Sequence, residues 1–89
     1  MRLEKEITPQ ITLLEIPKDA EFSDYFLAVS YEQYGQQWRV KVPLCYDTDL
    51  KKWDVIYPAQ AQDKEFPKIR KKELDKISEL IRQFEDMPF

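Results

Sequence analysis

The stretches Tyr25–Gln33 and Trp38–Tyr46 sort their side chains into two faces under one antiparallel pairing, and this agreement limits the fold more than any other feature. If paired residue numbers sum to 71, Tyr31 faces Val40, Val29 faces Val42, Leu27 faces Leu44 and Tyr25 faces Tyr46 on one side. Glu32 then meets Arg39 and Ser30 meets Lys41 on the other. Side chains alternate along a strand, so a register that separates apolar from polar residues on both strands at once is selective. Gly35 lies between the two stretches, where a hairpin needs a residue that accepts positive φ. A two-residue Gly35-Gln36 turn fits type II′, but it makes Ala28–Pro43 a hydrogen-bonded pair, and proline has no amide to give. A four-residue loop, Tyr34–Gln37, keeps the register and turns the missing donor of Pro43 outward, so it is the expected connection.

A helix competes for part of this region. Asp19 can cap a helix on which Phe22, Tyr25, Phe26 and Val29 share a face, with Gly35 as its stop, over residues 19–34. The aromatic and β-branched content favours strands.

Prolines punctuate the rest of the chain. Ile11–Ile16, between Pro9 and Pro17, is short and β-branched and reads as a strand. Trp53–Tyr57 pairs back through the Asp47–Lys52 loop, so that Trp53 meets Tyr46 and Val55 meets Leu44, and Pro58 ends it. Residues 59–66 read as a polar connection. After Pro67, the residues Ile69, Leu74, Ile77, Leu80, Ile81 and Phe84 recur at helical spacing. The expected fold is α+β: an antiparallel meander of three to four strands packed by one C-terminal amphipathic helix. One small domain over residues 1–89 is expected, with the sheet at about 1–58 and the helix at about 67–86.

Composition narrows function by subtraction. The 89 residues include no histidine, one glycine and one cysteine, which removes the usual general base, phosphate-cradling loops and intrachain disulfides. Neither an apolar span nor a signal-like start is evident, and with a single thiol the expected compartment is the cytoplasm. A net charge of -3 does not suit a general nucleic-acid binder. No catalytic residue, cofactor or metal ligand set is expected.

Three constellations remain. In Asp47-Thr48-Asp49-Leu50-Lys51, two carboxylates beside a lysine invite comparison with metal-dependent hydrolases. Such chemistry needs a further acid on a neighbouring strand, and the plainer expectation is a hairpin loop whose aspartates bond backbone amides. The second is the basic run Lys64, Lys68, Arg70, Lys71, Lys72 and Lys76, extended by Arg39 and Lys41 on the sheet. Glu73, Asp75 and Glu79 interrupt it, so a solvated helix face explains it as well as a phosphate-binding field does. The third is aromatic. Tyr46 and Trp53 are expected to complete the core, whereas Trp38, Tyr34 and Tyr57 are expected to stay partly exposed as anchors for a partner. Cys45 falls on the outer face with no base beside it and is expected to be inert.

The element order is similar to that of small sheet-plus-helix DNA-binding domains at the N-termini of some integrases. It is similar too to that of small inhibitors encoded by phages and other mobile elements. The leading expectation is a non-enzymatic protein-binding module, an inhibitor or adaptor that blocks another protein. Trp38, Tyr34 and Tyr57 would be its anchors, and Asp19, Glu21, Asp24, Asp47 and Asp49 would face a basic target. The alternatives are nucleic-acid binding through Lys68, Arg70, Lys71, Lys72 and Lys76, and carboxylate hydrolysis at Asp47 and Asp49. No membrane partner is expected. Monomer and homodimer are both open, with Ile11–Ile16 the expected contact of a dimer.

Overall fold

The computed structural model describes residues 3–15 and 25–86. It is an α+β arrangement in which a curled five-stranded antiparallel meander, in the order β1-β2-β3-β4-β5, is closed by one C-terminal helix. The strands are β1 (Glu4–Thr8), β2 (Ile11–Glu15), β3 (Tyr25–Gln33), β4 (Gln36–Asp47) and β5 (Lys52–Val55). A short 3-10 turn (Ala59–Gln62) leads to α1 (Lys71–Glu85). Residues 25–33 form a strand and not the end of a helix, while the Asp19 cap, Phe22 and the acidic residues Glu21 and Asp24 lie outside the described residues.

The strand that sequence reasoning missed is β1. Its Glu-Lys-Glu-Ile-Thr run has no apolar alternation to announce it, and it forms by pairing with β2, where Glu4 opposes Leu14 and Glu6 opposes Thr12. Thr8 Oγ1 accepts a hydrogen bond from the Gln10 amide at 3.2 Å, which helps hold the turn between the two strands. With β1 outside it, β2 is an interior strand. The expected dimer contact at Ile11–Ile16 therefore falls, because β2 pairs on both sides among the described residues.

The β3–β4 register also differs from expectation. Val29 faces Val40, Leu27 faces Val42 and Tyr31 faces Trp38, so paired numbers sum to 69. Ser30, not Glu32, stands opposite Arg39, and Glu32 accepts a hydrogen bond from Gln37 Nε2 at 3.3 Å. The expected loop Tyr34–Gln37 is replaced by a two-residue turn, Tyr34-Gly35, with φ of 54° and 74°. Two positive φ values give the type I′ turn, whose twist matches that of the strands it joins. A shift of two residues leaves every side chain on its face although its partner changes. It also resolves the difficulty at Pro43. The Pro43 carbonyl accepts from the Ile56 amide at 2.9 Å, so the backbone of Pro43 faces β5 and its missing donor is not required by β3.

The β4–β5 register is the expected one, with Trp53 opposite Tyr46 and Val55 opposite Leu44. The helix begins four residues later than Pro67, at Lys71. There the Arg70 amide donates to Glu73 Oε2 at 2.8 Å, so a carboxylate satisfies an otherwise orphaned donor at the helix start. Glu73 thereby offsets the lysines that oppose the helix dipole. Ile77, Ile81 and Phe84 enter the core alongside Leu13, Leu27, Val29 and Leu44. α1 touches both β5 and β1, the two edges of the sheet, so the sheet curls around it. The 59–66 connection is less polar in role than in composition, since Phe66 is buried edge-on to Tyr31 at 5.4 Å.

Candidate binding surface

Alternation along β4 places Trp38, Val40, Val42, Leu44 and Tyr46 on the helix side and Gln37, Arg39, Lys41 and Cys45 on the outer side. The helix is too short to cover the whole inner face. Trp38 remains 40% exposed, stacked on Tyr31 at 6.5 Å with an interplanar angle of 18°. Tyr57, 52% exposed, donates its hydroxyl to the Ile69 carbonyl at 3.4 Å. Tyr34 is 92% exposed at the tip of the β3–β4 ribbon. The three residues expected to be exposed are thus exposed, with Tyr34 and Trp38 on the β3–β4 ribbon and Tyr57 beyond the end of β5.

Tyr46 departs from its expected place. It is 48% exposed, leaning on Trp53 at 5.5 Å, while Trp53 packs edge-on to the buried Tyr25 at 5.2 Å. The Trp53 amide donates to Ser78 Oγ on the helix at 3.2 Å, and no such bond is made by Tyr46 among the described residues. Between these rings and α1 lies an open groove of about 550 Å3 lined also by Lys52, Asp75, Glu79 and Arg82. Four of its charged side chains are paired. Arg82 Nη2 donates to both oxygens of Glu79 at 2.7 and 2.9 Å, and Lys52 stands 3.6 Å from Asp75. Hydrogen bonds from Arg82 and Gln83 hold the Glu79 carboxyl below the ordinary carboxylate range, which suits an acceptor and not a proton donor.

The Asp47–Lys51 loop behaves as a loop. Asp47 Oδ1 accepts from the amides of Asp49 and Leu50 at 2.9 and 3.1 Å, so this carboxylate is spent on its own turn. Among the described residues no three acid or cysteine side chains gather closely enough to hold an ion. Cys45 is exposed on the outer face.

The basic residues do not form one field. Lys64, Lys68 and Arg70 line a shallow groove with Thr8 and Gln10, and Lys71, Lys72 and Lys76 are exposed on the helix. Arg39 and Lys41 lie on the opposite face of the sheet, so they cannot extend that patch. What sequence reasoning missed is an apolar row across the outer face: Leu14 opposite Phe26, Phe26 opposite Pro43, and Pro43 bonded to the half-exposed Ile56. The Ile56 end was legible, since Val55 faces the core and its neighbour must point away.

The surroundings of two tyrosines hold their hydroxyls above the ordinary tyrosine range. Burial raises the Tyr31 hydroxyl above its ordinary value of 10.0, and the Asp63 carboxylate that accepts its hydrogen bond at 3.0 Å raises it further. Burial likewise raises Tyr57, aided by Asp54 and Glu73. A group whose folded pKa exceeds its unfolded one contributes stability that is complete below the unfolded value and is lost as pH rises toward the folded one. Urea midpoints are therefore expected to fall above pH ~10, with a shallower fall in Tyr31→Phe. A fall equally steep in the variant would remove Tyr31 from this effect.

Among the described residues, no helix is long and apolar enough to cross a membrane. No protein-family model, curated protein or solved structure matches this chain.

Proposed function

We propose that this chain is a non-enzymatic protein-binding module that acts by occupying the surface of another protein, as a small inhibitor or adaptor does. The observation that carries this reading is Tyr34. A tyrosine at φ 54°, 92% exposed, sits in a backbone conformation unfavourable to it and contributes little burial in return. An aromatic ring kept at a ribbon tip against its own preference is suited to insertion into a partner. Trp38 and Tyr57 are large, half-exposed and already braced by Tyr31 and the Ile69 carbonyl, so little side-chain freedom is lost when they are covered. In this reading Asp49 serves as a rim charge, while Asp47 shapes the loop that presents it.

The test is affinity capture with the native chain and with Trp38→Ala and Tyr34→Ala. A specific protein is expected to be retained at physiological salt, with roughly tenfold or greater loss in Trp38→Ala at a temperature where that variant remains folded. Equal retention by all three chains, or none by the native chain, overturns the proposal. Nucleic-acid binding is the second reading, carried by the exposed cluster of Lys64, Lys68 and Arg70 beside the helix start. It requires retention on a DNA or RNA column that falls steeply with salt and disappears in a Lys68→Glu, Arg70→Glu double variant.

A further inference from the structure

β4 runs for 12 residues and β5 for only 4, so the two strands of the last hairpin are badly matched in length. Pairing on the β5 side of β4 spans Leu44 to Asp47 and ends with the bond from the Ile56 amide to the Pro43 carbonyl. Pro58 then takes the chain out of the sheet and into the 3-10 turn. From Gln36 to Val42, β4 is therefore paired with β3 alone among the described residues.

The direction of the unused backbone follows from Pro43. In an extended strand, alternate residues aim their N–H and C=O groups to the same side. Pro43 aims at β5, so Lys41, Arg39 and Gln37 aim the same way, into open space. No hydrogen bond among the described residues engages the amides or carbonyls of these three positions on that side. The edge also lacks the usual guards. Its register with β3 is unbroken, no proline interrupts residues 37–42, and Gln37, Trp38, Arg39 and Lys41 are all exposed.

The remaining guard is charge, and it is selective. Arg39 and Lys41 lie on the outer side, with the Lys41 ammonium 5.4 Å from the Phe26 ring centre, and Arg39 forms no ion pair among the described residues. If β4 paired antiparallel with a second β4, these cations would meet each other, and like charges across strands are destabilising. The same pair favours an incoming strand with acids on that side. On the inner side the edge shows Trp38 and Val40, which ask for apolar residues. We propose that the open edge of β4, from Gln37 to Lys41, receives an extended segment of a partner protein as a sixth strand. That segment carries acidic residues opposite Arg39 and Lys41 and apolar ones beside Trp38 and Val40. This rests on the protein-binding reading and names the chemistry of the partner's contact. Main-chain bonds would supply affinity, and the alternating side chains specificity.

The test is a titration of the isotopically labelled full chain with a short end-blocked peptide alternating valine and glutamate, followed by amide chemical shifts. Shifts centred on Gln37, Arg39 and Lys41 are expected, with affinity about tenfold weaker for the valine-lysine counterpart. Arg39→Pro deletes one edge donor without touching the β3 ladder and is expected to abolish binding. Should that variant fail to fold, the Arg39→Glu, Lys41→Glu double variant keeps the edge and is expected to prefer the lysine peptide. Shifts confined to the Trp53 groove, equal affinity for both peptides, or no shifts at saturating peptide overturn strand addition. So does a particle mass that grows with concentration of the chain alone, which gives the edge to a second copy. Partner capture that is lost in Trp38→Ala but intact in Arg39→Pro refutes strand addition and leaves the protein-binding reading standing.

Discussion

Leu27→Ala is expected to lower the unfolding free energy by about 3 kcal/mol, a large share of the total. Leu27 is 0% exposed on the strand between β2 and β4, opposite Leu13 on one side and Val42 on the other. Its neighbours belong to a ladder that cannot slide inward, so the space left by the missing carbons persists and adds to the lost transfer energy. A chain of 89 residues has a total stability on the order of 5–10 kcal/mol, which makes a loss of this size decisive. The adjacent Phe26 points to the outer face and is only partly buried, so Phe26→Ala is expected to lose less. Urea denaturation of the two variants measures the difference. Equal losses would mean that the outer row is as much a core as the inner one.

The turn supplies the second expectation, and its two residues answer in opposite directions. Gly35 holds φ 74°, and a side chain built there meets nothing within 4 Å. Any loss in Gly35→Val is therefore conformational and not a clash with neighbours. A branched residue in the left-handed region is expected to lower stability by about 2 kcal/mol. Tyr34 already occupies that region, so Tyr34→Asn is expected to raise stability by up to ~1 kcal/mol, because asparagine tolerates it better. If the gain in stability accompanies a loss of partner capture, Tyr34 is retained for binding at the expense of folding. A loss of stability in Tyr34→Asn would show instead that the ring holds the turn.

The faces of the strands were legible because alternation is a local property of Tyr25–Tyr46 and survives any even shift of register. The register itself was not legible, since it depends on which residues accept positive φ. A tyrosine in that role contradicts ordinary preference. β1 was hidden for a related reason. Three of its five residues are charged, and its pairing comes from the neighbouring Ile11–Glu15 strand and not from its own pattern. The helix face was plain, but its first turn was not, because Pro67 is a plausible start and the cap is a backbone bond to Glu73. Exposure of Trp38 and Tyr57 followed from comparing the size of one helix with that of the sheet. Tyr46 did not follow, because its burial depends on the position of the helix axis across the sheet. The split of the basic residues between two faces was already implied by placing Arg39 and Lys41 on the polar side of the ribbon.

A helix that touches both margins of the sheet has a consequence for the order of events in folding. Each hairpin joins sequence neighbours and closes a short loop, so the meander can zip progressively from any of its turns. The interior is different: Leu3 and Ile11 share it with Ile81 and Phe84, which lie at the far end of the chain. Until those late residues arrive, Leu27, Val29 and Val42 line a concave surface open to water. During synthesis the sheet must wait, uncovered, for its lid.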